Sequence, residues 1–277
     1  MNACRREIEI NRRAWNEWAA IHARGCSQYP VRRLLAGKGG WSPPLPDPLG
    51  VVRGKSILHL QCHFGMDSLH WARRGARVTG VDFSAEAIHR ARDLSRASGI
   101  PARFITSDIY GLPRVLKERF AIVLTYYGVT CWLPDLDRWG RIVAQFLKPG
   151  GFLYLAELHP LRDALEFDGP RGMPRLVNSY FPRGRVRYAT SGGTYAAPTA
   201  RTRHRVHYGW QHSLAETVSA LCDAGLTIEY LHEFPYVYCD DLAYTGCRLM
   251  RRDRRGFWHL KGSGEKFPLL FSVKARR

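Results

Sequence analysis

Residues Ile57-Leu58-His59-Leu60-Gln61-Cys62-His63-Phe64-Gly65 form an apolar run that breaks at a glycine. A helical pattern follows, and a second apolar run ends in Val81-Asp82-Phe83-Ser84, with Val81 sixteen residues beyond Gly65. This order and spacing constrain the chain to a strand–turn–helix–strand unit, because only a short crossover helix fits between two parallel strands so placed. An acid closing the second strand is the layout of a βαβ unit that binds a nucleoside, with the acid set to accept both ribose hydroxyls. The turn after the first strand, where such units are rich in glycine, keeps only Gly65.

From Lys55 onward the rhythm continues. Strand-like runs occur at 56–62, 76–81, 102–106, 120–125, 151–157, 226–231 and 268–274, with helical patterns between most of them. In 135–147 the residues Leu136, Trp139, Ile142, Val143, Phe146 and Leu147 make one apolar stripe. In 212–224 Leu214, Val218, Leu221 and Cys222 make another. Strands alternating with helices predict an α/β fold: a Rossmann-like, seven-stranded, mostly parallel sheet with helices on both faces. Four segments are expected. Residues 1–50 are an amphipathic helix over 5–24 followed by a Gly- and Pro-rich loop, and 51–159 are the nucleoside-binding core. Residues 160–210 are a small β insertion after the fifth strand, with strand-like pieces at 176–181, 185–189 and 203–208. Residues 211–277 complete the sheet and carry a basic, aromatic insertion at 235–266.

The 277 residues are 45% hydrophobic, enough for a sizeable core. No apolar run approaches a membrane span and no secretory leader is visible. Seven cysteines stand without a Cys-x-x-Cys pair, which fits a reducing, cytoplasmic setting and points to neither a zinc site nor a disulfide framework. No metal site is expected. The net charge of +18 is carried by 35 Arg and 7 Lys, and it is uneven. Eight Arg and no acid lie between Arg171 and Trp210, and Arg248, Arg251, Arg252, Arg254 and Arg255 enclose a single acid. Such patches attract anions, whether phosphates, carboxylates or nucleic acid.

The chain resembles the class I S-adenosylmethionine (SAM)-dependent methyltransferases, closely over roughly residues 50–158. In the first motif His59 stands for the family's acid, Gln61 and His63 for its first two glycines, and Gly65 for the third. His-Leu-Gln-Cys-His-apolar-Gly is similar to a bacterial subgroup with these same substitutions. Val78-Thr79-Gly80-Val81-Asp82-Phe83-Ser84, Phe104-Ile105-Thr106-Ser107-Asp108-Ile109, Thr125-Tyr126-Tyr127-Gly128 and Leu147-Lys148-Pro149-Gly150-Gly151-Phe152 match the later motifs. The resemblance implies a SAM cofactor, with S-adenosylhomocysteine (SAH) as product, held by His59, Gln61, His63, Gly65, Asp82, Phe83, Asp108, Ile109 and Tyr126. NAD is the runner-up, disfavoured because one glycine of the dinucleotide fingerprint is present.

For acceptors whose proton must leave, the candidate bases are Glu157 and His159 after the fifth strand and His212 before a later helix. Each also has a plain structural reading, as a loop or cap residue. Trp15, Tyr29, Tyr127, Trp132, Trp210 and Arg203 are the candidate acceptor-binding residues. Trp15, Tyr29 and Trp41 belong to an N-terminal segment that in related methyltransferases folds over the cofactor. The leading expectation is a biosynthetic methyltransferase acting on an aromatic or amphipathic small molecule, of unknown oligomeric state. A second reading is C-methylation of an anionic, diphosphate-bearing metabolite such as an isoprenyl diphosphate, with Arg from 171–205 cradling the phosphates and Mg²⁺ possible there. An RNA-directed methyltransferase and a non-catalytic SAM-binding module are further alternatives. Neither the Asp/Asn-Pro-Pro-aromatic loop of base-amine methylation nor a Pro-Cys nucleophile is present.

Overall fold

The computed structural model describes residues 4–26, 28–37, 49–166, 175–181, 184–190, 192–238, 250–261 and 266–277. Trp41 and the rest of the Gly- and Pro-rich stretch at 38–48 lie outside them, as do parts of the segments 160–210 and 235–266.

Two helices, α1 (Arg5–His22) and α2 (Val31–Leu35), precede the alternating unit. The unit runs β1 (Ser56–Leu60), α3 (Met66–Arg73), β2 (Arg77–Asp82), α4 (Ala85–Ser98), β3 (Arg103–Thr106), α5 (Leu112–Val115), β4 (Phe120–Tyr126), α6 (Leu136–Phe146) and β5 (Leu147–Leu158). Next come the short α7 (Pro160–Ala164), β6 (Leu165–Glu166) and β7 (Arg175–Leu176), and a hairpin of β8 (Arg185–Ala189) and β9 (Val206–Trp210). Helix α8 (Leu214–Asp223) leads to β10 (Thr227–Phe234). Then a small sheet of β11 (Tyr236–Val237), β12 (Met250–Arg252) and β13 (Trp258–Leu260) precedes the last strand, β14 (Leu270–Arg276).

The main sheet has seven strands in the order β3-β2-β1-β4-β5-β14-β10. The pairs from β3 to β5 are parallel, and β14 runs antiparallel to both its neighbours. The central strands are buried on both faces, which is why they read as continuous apolar runs. Leu58, Leu60, Val123, Leu153 and Leu155 face α6 and α8, while Ile57, Ile122, Leu124 and Tyr154 face the other way with Trp71. The chain order reverses between β1 and β4, so the crevice beyond their carboxyl ends is where an open α/β sheet accepts a ligand.

The helices start where their caps put them. Ser84 Oγ accepts from Ala87 N, an Asp135 carboxylate oxygen from Arg138 N, and Ser213 with Glu216 closes a capping box. Helices α6 and α8 cross at Gly140, where a Cβ would lie 2.3 Å from the Ala220 carbonyl oxygen. Helix propensity alone favours alanine there, yet Gly140→Ala is expected to destabilise the fold by about 2 kcal/mol through overpacking. A thermal melt should show a fall in Tm of about 3 °C.

Three expectations shift. Strand β5 begins at Leu147, not 151: Leu147 pairs with Phe120, and the Pro149-Gly150-Gly151 turn is absorbed as a register shift before Ile122 meets Phe152. The expected strand at 176–181 shrinks to Arg175–Leu176, because the N–H groups of Val177 and Asn178 both turn onto the Ala164 carbonyl. The piece expected at 203–208 sits at Val206–Trp210, set by its pairing with β8.

Candidate functional site

The turn after β1 keeps glycine-like geometry without the glycines. Gln61 and His63 both adopt left-handed backbone, at φ 52° and 51°. Such conformations cost a non-glycine residue about 1–2 kcal/mol each, a strain that tends to collect at functional sites. Gly65 has φ 79° and opens α3; a Cβ there would lie 2.8 Å from both Ala91 Cβ and the Phe104 ring. The Gln61 amide donates to the Val129 carbonyl at 3.0 Å, tying the turn to the loop after β4.

The residues that break the motif share one property. His59 Nε2, Gln61 Oε1 and His63 Nδ1 are each buried without a protein hydrogen-bond partner among the described residues, and all three residues line one cavity of about 1050 Å³. Buried polar atoms left unpaired cost about 1–3 kcal/mol each, so a ligand that supplies partners gains that energy back.

Acids sit along the strand ends beside this turn. Asp82 closes β2, and its two carboxylate oxygens accept from His63 N and Ser84 N, both at 2.9 Å. Each oxygen retains a lone pair for a ligand hydroxyl. Burial raises the Asp82 pKa to about 6 against these N–H groups. Asp108 accepts from Gly111 N at 2.8 Å and lines the cavity with Ile109 and Phe83. Asp67, in the first turn of α3, was hidden inside an ordinary helical pattern. Burial raises its pKa to about 7, against a hydrogen bond from the Tyr126 hydroxyl, which also receives Trp71 Nε1–H at 3.1 Å. No Lys, Arg or His pairs with Asp67 among the described residues. His59 stacks on Tyr126 with ring centroids 5.2 Å apart and shares a 2.8 Å hydrogen bond with Ser68. Burial pushes its pKa down to about 3, so it stands neutral where the motif usually carries a charge.

Helix α1 and the hairpin close over the turn. Trp15 packs edge-on against His63 and Trp132, both at 5.3 Å. His22 Nδ1 lies 2.9 Å from His63 Nε2, and His22 Nε2 lies 2.8 Å from Thr194 Oγ1, so one hydrogen-bonded chain joins α1, the turn and the segment before β9. Tyr29 and Tyr195 share a 2.5 Å hydroxyl contact beside it. Asn16 ties α1 to Ser84, Asn11 exchanges two hydrogen bonds with the Tyr208 backbone, and Glu17 accepts from Arg203 N and His204 N.

The structure brings Trp15, Tyr29, Tyr127 and Trp132 together in the cavity lining with His59, Gln61, His63, Gly65, Asp82, Phe83, Asp108, Ile109 and Tyr126. Five expected site residues are placed elsewhere. Glu157 is spent on structure: its carboxylate accepts from the N–H groups of Gly128, Val129, Thr130 and Leu158 at 2.5–3.0 Å, which fixes the loop after β4. His159 caps α7 through Nδ1 and sets Nε2 2.8 Å from the Glu233 carboxylate, outside the cavity lining. His212 donates Nε2–H to the Leu133 carbonyl at 2.7 Å and packs behind that loop. Trp210 is buried at the end of β9, and Arg203 is an exposed residue whose backbone meets Glu17. Neither lines the cavity. Sequence reasoning passed over Asp67, Tyr195, Tyr238, Phe257 and Trp258 and named Arg252 and Arg255 only within an anion-attracting patch, yet all seven line the cavity. The Arg-rich, aromatic run at 248–258 was the available signal for the last four.

Among the described residues no three His, Cys, Asp or Glu side chains are placed to hold a metal ion, and no helix is long and apolar enough to cross a membrane.

Residues 57–151 match the family model described as a methyltransferase domain. A ubiquinone biosynthesis O-methyltransferase of Proteus mirabilis is 31% identical over 106 residues, which is 38% of this chain and 43% of that protein. The chain thus spans under half the length of that curated relative. A solved SAM-dependent methyltransferase from Mesorhizobium loti shares the fold with a TM-score of 0.57 at 21% identity, covering 92% of this chain and all of the other. The DhpI–SAH complex shares it with a TM-score of 0.52 at 17% identity, covering 98% and 96%. These matches make residues 57–151 a methyltransferase domain, and the strand order, the acid closing β2 and the cavity beyond the strand ends are those of the fold it shares with solved SAM-dependent methyltransferases.

Proposed function

We propose that the chain transfers a methyl group from SAM to a small-molecule acceptor bound in the same cavity. The observation that carries this reading is the set of buried, partnerless polar atoms on His59, Gln61 and His63, beside the Asp82 carboxylate. Asp82 would take the ribose hydroxyls, Asp108 and the Ile109 backbone the adenine edge, and Phe83 would cover the ring. Gln61, His63 and His59 would serve the amino-acid end, and Asp67 its ammonium group. When bound, SAM supplies an electrophilic methyl on a sulfonium centre.

The protein's own part is position and dryness. Trp15, Trp132, Tyr29 and Tyr195 wall the turn from solvent, and α1 is clasped to both α4 and β9. Pockets for drug-sized ligands run to about 300–1,000 Å³; a cavity of about 1050 Å³ has room for a nucleoside and an acceptor together. With Glu157, His159 and His212 engaged elsewhere, rate enhancement rests on alignment of the acceptor and exclusion of water.

The test is SAH production from SAM with a panel of phenolic, carboxylic and amine small molecules. SAH should accumulate only when an acceptor is present, and Asp82→Ala should abolish it. Tight SAH binding with no turnover on any acceptor would replace this reading with a non-catalytic SAM-binding module.

A further inference from the structure

The cavity is electrically divided. Its acids, Asp67, Asp82 and Asp108, sit at the nucleoside end by β1, β2 and β3. The far wall is built by the small β11–β13 sheet, which packs on Leu158 at the end of β5. That wall presents Tyr238, Phe257, Trp258, Arg252 and Arg255 to the cavity. Tyr238 stacks flat on Tyr127, with ring centroids 3.9 Å apart and planes 12° apart, so the loop after β4 and this wall form a continuous aromatic surface.

The guanidiniums are oriented but not neutralised. Arg252 lies over the Trp258 ring at 6.0 Å and donates Nε–H to the Gly256 carbonyl at 3.2 Å. Arg255 lies over Phe257 at 5.1 Å and Tyr236 at 5.9 Å. Asp253, the acid between them, is turned inward: it accepts from Phe257 N at 2.9 Å and meets His259 Nε2 at 3.0 Å. Neither arginine faces a carboxylate among the described residues. Stacking on aromatic rings holds a guanidinium plane while leaving its N–H fork open to an oxyanion.

Resting on the methyl-transfer reading, we infer that the acceptor has a flat aromatic or conjugated body and an oxyanion group, carboxylate or phosphate, which Arg252 and Arg255 hold. The flat body lies along the Tyr127–Tyr238 surface. This moves anion recognition from the arginines of 171–205 to those of the β12–β13 turn.

Tryptophan fluorescence of the SAH-saturated protein tests this, because Trp15, Trp132 and Trp258 all line the cavity. The probes are 2-naphthoate, 2-naphthyl phosphate and neutral 2-naphthamide. At least one anion should bind about tenfold or more tightly than the amide, and the tighter anion identifies the group the site takes. The double substitution R252Q/R255Q should erase that preference while leaving SAH affinity unchanged. Equal affinity for anion and amide, no binding of either anion, or a preference that survives R252Q/R255Q overturns the inference. Failure of the underlying reading is separate, since it appears as no SAH binding before any naphthyl probe is added, or as no SAH production from SAM with any acceptor.

Discussion

Gly65→Ala is expected to abolish measurable SAH binding and to lower Tm by about 5 °C. Two costs add. At φ 79° an alanine pays about 1–2 kcal/mol of left-handed strain. Its Cβ would also lie 2.8 Å from Ala91 Cβ and from the Phe104 ring, where α4 and β3 pack under the turn. Relief by pushing α3 outward costs about 1–3 kcal/mol more, and about 3 kcal/mol corresponds to the stated shift for a chain of this size. The same displacement carries Gln61, His63 and the start of α3 away from Asp82, so binding falls further than stability does. Circular dichroism melts and calorimetric SAH titration read the two effects separately. A variant with wild-type Tm and SAH affinity would mean the turn is not the binding element.

Asp67 should show opposite signs in stability and binding. Its pKa in the folded protein is about 7, against an ordinary value of 3.8, because burial disfavours the charge. The folded state therefore holds a proton that the unfolded state releases. Stability conferred by this group falls as pH rises from about 4 to about 7, and it is lowest above 7. A ligand ammonium reverses that penalty. SAH affinity is expected to rise with pH through about 7, with a lower step near 6 from Asp82. Asp67→Asn should remove the upper step, weaken SAH binding about tenfold at pH 8, and raise the Tm of the free protein at that pH. Calorimetry at several pH values measures all three. An SAH affinity that stays flat from pH 5 to 8.5 in the wild type would exclude Asp67 as the ammonium partner.

The sheet was legible because its central strands are buried on both faces and so read as apolar runs; β1 to β4 and α6 fall within two residues of the periodicity. Asp82, Asp108 and Gly65 were legible because each ends or opens an element, and the far wall of the cavity was not. Tyr238 reaches Tyr127, and Arg252 and Arg255 reach the same cavity, from more than a hundred residues along the chain, and no local pattern encodes that approach. Glu157 misled for a related reason. An acid at the end of a central strand looks catalytic until its carboxylate is seen to satisfy three backbone N–H groups of the neighbouring loop and that of Leu158 beside it. The left-handed backbone at Gln61 and His63 was equally hidden, since nothing in their side chains announces it.

SAH titration of the wild-type chain beside Asp82→Ala tests the binding site most directly. Saturable one-to-one binding to the wild type is expected. Loss of two charge-assisted hydrogen bonds in the variant, each about 1.5–3 kcal/mol, should weaken binding about 100-fold or more. No heat with the wild type, or wild-type affinity in Asp82→Ala, would contradict this assignment of the site.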